Sequence, residues 1–447
     1  MLPDLASYLQ AQQVPMKAAL MELLRIPSVC NEGEAGFPFG VAVDQALRDA
    51  LQIAGGLGFR TRYGDGGYYG YAEIGAGEDM VGVLGHVDVV PPGNLHDWDH
   101  DPFDPVERDG MLHGRGAQDD KGPLLAALFG AKALMDAGVT FHKRVRFIFG
   151  TDEETLWRCI RRYVEREELP SMGFSPDSRF PLTYAEKALL QLHLEAPNES
   201  GLRLAGGSAF NAVPDSVLYA GERQEDLAAA LDALGFPYTR RADGLEVRGK
   251  AAHAMEAEAG VNAIARLCIA LESIGLRSRA VDFAALEVGE DPYATRIFGP
   301  CSDEPSGQLK FNVGKIELGD VEQLSVDCRI PVTVPKEEIV ARLTAVAARY
   351  GLEYRQVDWL APLYLPLDHF IVQELMKVYR DRSGDTVSQP ISSGGATYAR
   401  AIQNCVAFGA LMPDEMLTEH RPNERAVLAN LYKAMEIYAY AIRRLAG

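Results

Sequence analysis

The stretch Met80-Val81-Gly82-Val83-Leu84-Gly85-His86-Val87-Asp88-Val89-Val90-Pro91 carries the first decision about the fold. It is an apolar, β-branched run stopped by Pro91-Pro92-Gly93, the pattern of a buried strand running out into a loop. Side chains on a strand repeat every second residue, so His86 and Asp88 are expected on one face. An imidazole with a carboxylate beside it can be a metal ligand and the group that orients it. A satisfied histidine next to a loop aspartate reads equally well from this stretch alone.

Working outward, helical spacing covers Asp4 to Arg25 and Val41 to Ala54, and Tyr68 to Ile74 reads as a further strand beside Met80 to Val90. The loop from Pro91 to Asp109 holds His96, His100 and several aspartates, but its Pro, Gly and Asp content is that of a solvated loop. Next, Gly114-Arg115-Gly116-Ala117-Gln118-Asp119-Asp120-Lys121-Gly122-Pro123 leads into a helix from Leu124 to Ala137. Asp119 and Asp120 suit simple capping of that helix as well as they suit a ligand role. The strand Val145 to Phe149 opens into Thr151-Asp152-Glu153-Glu154, three acids that repel one another unless a cation or water relieves them. Strand, helix and strand in alternation predict an α/β fold, a mostly parallel sheet flanked by helices. Its site is expected beyond the carboxyl ends of the strands.

After Phe174-Ser175-Pro176-Asp177-Ser178 the texture changes. Strands at Leu189 to Leu194, Val217 to Ala220, Leu245 to Val247, Asn312 to Leu318 and Gln323 to Ile330 alternate with helices at Glu225 to Leu234, Gly260 to Ile274 and Lys336 to Tyr350. This predicts an α+β domain inserted into the first, with boundaries 1–185 and 364–447 for the catalytic domain and 186–363 for the insert. The tail resumes the alternation at His369 to Tyr379, Ala396 to Ile402, Val406 to Gly409 and Leu428 to Leu445.

A chain of 447 residues is too long for one ordinary core, which agrees with two domains. Its formal net charge of -19 is scattered and repels phosphate backbones and anionic membranes, so no nucleic acid and no membrane partner is expected. No stretch approaches the roughly 20 apolar residues of a membrane span. The N-terminus lacks a basic region followed by an apolar core, so a cytoplasmic location is expected. The six cysteines form no C-x-x-C pair, so any metal here must use His, Asp and Glu.

In chain order the candidate ligands are His86, Asp119, Glu154, Asp177 and His420. Nitrogen and oxygen donors without sulfur suit two divalent ions, most simply Zn2+ or Mn2+, and a carboxylate can bridge them. The motifs from Gly85 to Pro91, Gly114 to Gly122, Asp152-Glu153-Glu154 and Pro176-Asp177, in this order, resemble the dinuclear-zinc exopeptidase and deacylase family of aminoacylases, desuccinylases, glutamate carboxypeptidases and carnosine-type dipeptidases. Within it the chain looks most like bacterial PepV-type dipeptidases, through Phe174 to Asp177, Phe210-Asn211-Ala212-Val213-Pro214, Gly394-Gly395-Ala396-Thr397-Tyr398-Ala399-Arg400 and His420 to Glu424.

The resemblance implies that Asp119 bridges two ions, that His86 and Asp177 complete one site, and that Glu154 and His420 complete the other. Asp88 would hold the ring of His86, and Glu153 would be the general base that takes a proton from water and passes it to the leaving amine. It further implies a cis peptide bond between Asp119 and Asp120. From the insert, His253 would face the developing oxyanion, Arg329 would bind the substrate's terminal carboxylate, Asn211 would help hold the substrate, and Gly394 and Gly395 would let the main chain approach it. Read without the resemblance, Arg329 is equally a strand-edge ion pair and Asn211 a turn residue. Ala254-Met255 departs from the small hydroxyl residue and proline that many relatives carry after the lid histidine. The insert, roughly 180 residues against about 110 for the lid of dimeric relatives, implies a functional monomer. The function expected is metal-dependent hydrolysis of unblocked dipeptides or very short peptides. An N-acyl amino acid deacylase or desuccinylase is the alternative on the same centre, and a silent peptide-binding protein the remaining one.

Overall fold

A computed structural model describes residues 5–32 and 34–447. The chain divides into two compact units. The first comprises the residues up to Tyr184 with Leu365–Ile391 and Thr397–Gly447, and the second comprises Ala185–Tyr364 with Ser392–Ala396. The division differs from the sequence boundaries in the short segment Ser392–Ala396, which belongs with the insert rather than with 364–447. Its tether is polar and long-range: the Lys187 N–H donates to Ser393 O at 3.0 Å, and Arg329 Nη1 donates to Gly394 O at 2.8 Å. Local sequence carries no trace of such contacts.

In the first unit, one sheet runs in the order Arg60–Gly64, Tyr69–Ile74, Arg144–Gly150, Met80–His86, Met172–Ser175 and Cys405–Ala407. Met80–His86 pairs in parallel with both of its neighbours, and Cys405–Ala407 is parallel to Met172–Ser175; the first two strands join antiparallel. All seven residues of Met80–His86 are buried, as a central parallel strand requires. The strand stops at His86 rather than at Val90. Beyond it the main chain is tied to other partners: Val87 N donates to Gly150 O at 2.9 Å and Val89 N to Ser28 O at 3.0 Å.

The helix Lys121–Asp136 begins three residues earlier than its apolar pattern predicts, and it is buried on nearly every side. It packs between Ala6–Leu24 and Leu428–Ala446. Gly130 permits the second contact, since a Cβ there would lie 2.8 Å from Met435 O. The buried ammonium of Lys121 donates to Leu23 O and Ile26 O, both at 3.0 Å, and so takes up carbonyls where the first helix ends. The predicted element at Ala396 to Ile402 is only a single tight turn, Tyr398–Ala401.

The second unit holds a five-stranded antiparallel sheet in the order Leu204–Gly206, Lys310–Leu318, Val321–Ile330, Ala188–Pro197 and Glu353–Leu360. Helices Ala263–Ser273 and Lys336–Arg349 help enclose its own apolar core, which includes Leu190, Leu192, Leu267, Leu271, Val326 and Leu343. The edge strand Glu353–Leu360 is largely exposed, and its run of charged and aromatic residues lacks the apolar alternation that announces a strand. Among the described residues, no helix is long and apolar enough to cross a membrane.

Candidate metal centre

Three parallel strands deliver their carboxyl ends to one place. His86 closes Met80–His86, Glu153 and Glu154 lie in the turn after Arg144–Gly150, and Asp177 follows Met172–Ser175. Asp119 precedes the helix Lys121–Asp136, joined to Asp120 by a cis peptide bond. His420 comes from a turn in which it adopts a positive φ of 59°. His86 Nε2 lies 3.0 Å from Asp119 Oδ1 and 3.9 Å from Asp177 Oδ2. His420 Nε2 lies 2.9 Å from Asp119 Oδ2 and 3.1 Å from Glu154 Oε2. The carboxylate of Asp119 therefore presents one oxygen to each imidazole.

The other ring nitrogen of His86 fixes the orientation of the ring. Nδ1 lies 3.0 Å from the main-chain oxygen of Asp88, which can only accept, so Nδ1 donates there and Nε2 is the nitrogen directed at Asp119 and Asp177. The carboxylate of Asp88 is farther from the ring, with Oδ1 at 3.5 Å, while its Oδ2 accepts from Glu154 N at 3.1 Å. The clamp expected from the Asp88 side chain is thus made first by its carbonyl, because the strand has already ended and the main chain has turned toward the ring.

Imidazoles set against carboxylates in a buried cluster call for a cation: burial lowers His86, but its hydrogen bonds with Asp119 and Asp88 raise it well above the usual range. Burial raises Glu153 well above the ordinary carboxylate range, and Glu154 and Asp119 push it the same way against His86. Burial likewise raises Asp177, helped by Asp119, Asp120 and Glu153, and lifts Glu154 to about 7. Burial opposes the charged form of Asp119 too, yet hydrogen bonds from His420 and His86 hold it below its usual range. His420 is raised to about 11, since its bonds to Asp119 and Glu154 outweigh burial. Two groups of donors have ligand atoms within 4.8 Å of one another, His86 with Glu153 and Asp177, and His86 with Asp119 and Glu154. Nitrogen and oxygen donors of this kind fit divalent metal ions. Glu153, expected from the resemblance to serve as base, stands within ligand reach in the first group.

The remaining sequence candidates lie in the second unit. Exposed His253 and Asn211 are brought together, with His253 Nε2 3.5 Å from Asn211 Nδ2, because the short strand that starts at Ala212 pairs with the one that ends at His253. The Met255 N–H donates to His253 Nδ1 at 3.2 Å, so Nε2 is the ring nitrogen that faces Asn211. Arg329 is buried, with Nε and Nη2 on the carboxylate of Asp327 at 2.6 and 3.2 Å. Gly394 makes room for Met255, whose Cβ would lie 2.8 Å from a Cβ at 394, and its carbonyl is held by Arg329. Gly395 N donates to Ser393 Oγ at 2.9 Å. The departure at Met255 is thus accommodated by the Gly394 backbone.

Several further residues surround the centre. Asp120 is buried, and its Oδ2 accepts from His86 N at 3.2 Å. Tyr398 is buried edge-on to His86 and contacts Cys159 Sγ at 2.7 Å. Gln118 and Glu424 join the segments that bear Asp119 and His420. Asp120, Gln118, Tyr398 and Glu424 all lie inside the motifs that carry the family resemblance, but a residue type at a position does not announce which remote group it will contact.

The fold and this cluster define a metallopeptidase. The sequence profile described as peptidase family M20/M25/M40 matches residues 82–444, and the chain belongs to this family. Two relatives bear names reading "Putative dipeptidase". YtjP of Bacillus subtilis (strain 168) is 36% identical over 95% of this chain and 96% of that protein, and SH1171 of Staphylococcus haemolyticus (strain JCSC1435) is 33% identical over the same shares. Solved structures share the fold. The M20 family metallo-carboxypeptidase Sso-CP2 from Sulfolobus solfataricus has a TM-score of 0.62 at 18% identity, covering 96% of this chain and 98% of that one. The dipeptidase Dug1p from Saccharomyces cerevisiae has a TM-score of 0.62 at 15% identity, covering 99% of each chain.

Proposed function

We propose that this enzyme hydrolyses unblocked dipeptides, or very short peptides, at a centre of two divalent ions, Zn2+ first and Mn2+ second. The observation that carries the reading is the convergence of His86, Asp119, Glu153, Glu154, Asp177 and His420 at the carboxyl ends of parallel strands, in a chain of this family. His86 and Asp177 would hold one ion and Glu154 and His420 the other, with Asp119 offering an oxygen to each. Bound divalent ions supply water activation and polarisation of the scissile carbonyl.

The chain's own residues then divide the work. Glu153 accepts the proton of the attacking water at its carboxylate and hands it to the leaving amine. Asp88, through its carbonyl, holds the His86 ring so that Nε2 is directed into the metal centre. His253 donates to the developing oxyanion through Nε2, the ring nitrogen not engaged by Met255 N, and Asn211 beside it holds the substrate main chain. Arg329 reads the terminal carboxylate. Asp327 and the Gly394 carbonyl occupy three of its five N–H groups, leaving one on each terminal nitrogen for a forked contact. The Gly394-Gly395 main chain flanks that contact. The enzyme acts as a cytoplasmic monomer, a state that sedimentation checks directly.

The test is a screen of free dipeptides, tripeptides and N-acetyl amino acids on metal-stripped protein restored with Zn2+ or Mn2+. Turnover of free dipeptides is the expected result. Turnover confined to N-acyl amino acids would replace the reading with a deacylase, and metal uptake without any turnover would leave a binding protein.

A further inference from the structure

Asp119 and His420 must meet within a few tenths of an ångström, yet they come from segments far apart in the chain, and His420 rises from a turn with its side chain 53% exposed. Its own surroundings therefore do little to hold it. Two side chains that touch neither substrate nor the candidate ligands' reacting atoms span the gap.

The carboxylate of Glu424 is buried, and the segment before Asp119 wraps around it. Oε1 accepts the main-chain N–H groups of Gly116, Gln118 and Asp119 at 3.0, 2.9 and 3.2 Å, while Oε2 accepts from Arg115 Nη1 at 2.6 Å. Gln118 returns the grip. Its Oε1 accepts from Thr418 N at 2.7 Å, Glu419 N at 3.0 Å and Thr418 Oγ1 at 3.1 Å; its Nε2 donates to Met416 O at 3.1 Å and Arg425 O at 3.4 Å. Main-chain pairing of Arg425 with His113, and of Gly114 N with Glu424 O at 3.0 Å, frames both contacts.

We propose that Glu424 and Gln118 form a reciprocal clasp, each gripping the main chain that bears the other segment's metal ligand, and that this clasp sets the affinity of the site built by Asp119, Glu154 and His420. Both are positioning residues, and the inference rests on the metal assignment made above. Gln118 acts mainly on the His420 turn, so its loss weakens one metal site selectively. Glu424 acts on the segment bearing the bridging Asp119, so its loss weakens both. A ligand released from such an outer contact typically costs about 10–100-fold in metal affinity.

Zn2+ titration of metal-stripped protein against a competing chelator, followed by calorimetry, separates the two binding steps. Gln118→Ala is expected to weaken one step by roughly 10–100-fold and leave the other unchanged. Glu424→Gln is expected to weaken both. Glu73→Gln serves as the stability control, because Glu73 pairs with Arg146 at 2.7 and 2.9 Å and contacts no candidate ligand. It should lower the melting temperature without altering either step. Unchanged steps in Gln118→Ala, or equal losses in both steps matching the melting-temperature loss and shared by Glu73→Gln, would overturn the clasp alone. Fewer than two Zn2+ bound by the parent protein would overturn the metal assignment itself. If Gln118→Ala does not fold by circular dichroism, Glu424→Gln decides, and parental affinity in that variant refutes the clasp.

Discussion

Replacing Arg329 with lysine gives the sharpest test of how the substrate's carboxyl end is read. The guanidinium is buried among fixed partners, with Asp327 taking its Nε and Nη2 and the Gly394 carbonyl taking one N–H of Nη1. What remains is one N–H on each terminal nitrogen, a planar fork that matches the two oxygens of a carboxylate. Lysine keeps the charge but offers a single point donor that must also satisfy Asp327. One of the two charge-assisted bonds to substrate is then lost, worth about 1.5–3 kcal/mol, or roughly 10–150-fold in kcat/KM. The assay compares kcat/KM for a dipeptide with a free carboxylate and for the same dipeptide as its C-terminal amide. Arg329→Lys should lose the stated factor on the acid and change little on the amide, so the preference collapses by that factor. An equal loss on both substrates, or an intact preference, would show that Arg329 serves only the buried pair with Asp327.

Other expectations follow from the same geometry. Glu153→Gln should lower kcat by about 10²–10⁴-fold while two metal ions still bind, and near-normal turnover with both metals present would remove Glu153 as the base. Chelation should lower the melting temperature, because Asp119, Glu153, Glu154 and Asp177 then face one another without a cation; metal at 100 times its Kd restores about 2.7 kcal/mol, read as a concentration-dependent upward shift. In the second unit, burial lowers Lys187 to about 8, and Lys310 adds to the effect. Between that value and the ordinary 10.5 the unfolded chain binds the extra proton, so stability rises with pH across this window. Melting temperatures from pH 7 to 10.5 should show that rise in the parent and a flatter profile in Lys187→Met.

Much of the candidate metal centre was legible in local chemistry. His86 ends an apolar run, Asp119 precedes a helix, Glu153 and Glu154 follow another strand, and each pattern has a short-range physical cause. Parallel pairing then brings strand ends together without further instruction, which is why the alternation of elements sufficed to forecast the place of the site. What local chemistry could not decide was where the elements stop and which main-chain groups they meet. The strand from Met80 ends at His86, so the ring is oriented by the Asp88 carbonyl before its carboxylate. Ser392–Ala396 joins the insert through two hydrogen bonds from residues distant in sequence. Gln118 and Glu424 recognise main-chain N–H and C=O groups, which every residue has, so no residue pattern can announce those partners. By itself the sequence determined the kinds of donor and the order in which strands present them. Only the tertiary structure decided their orientations and separations, because hydrogen bonds between remote segments of the chain set both.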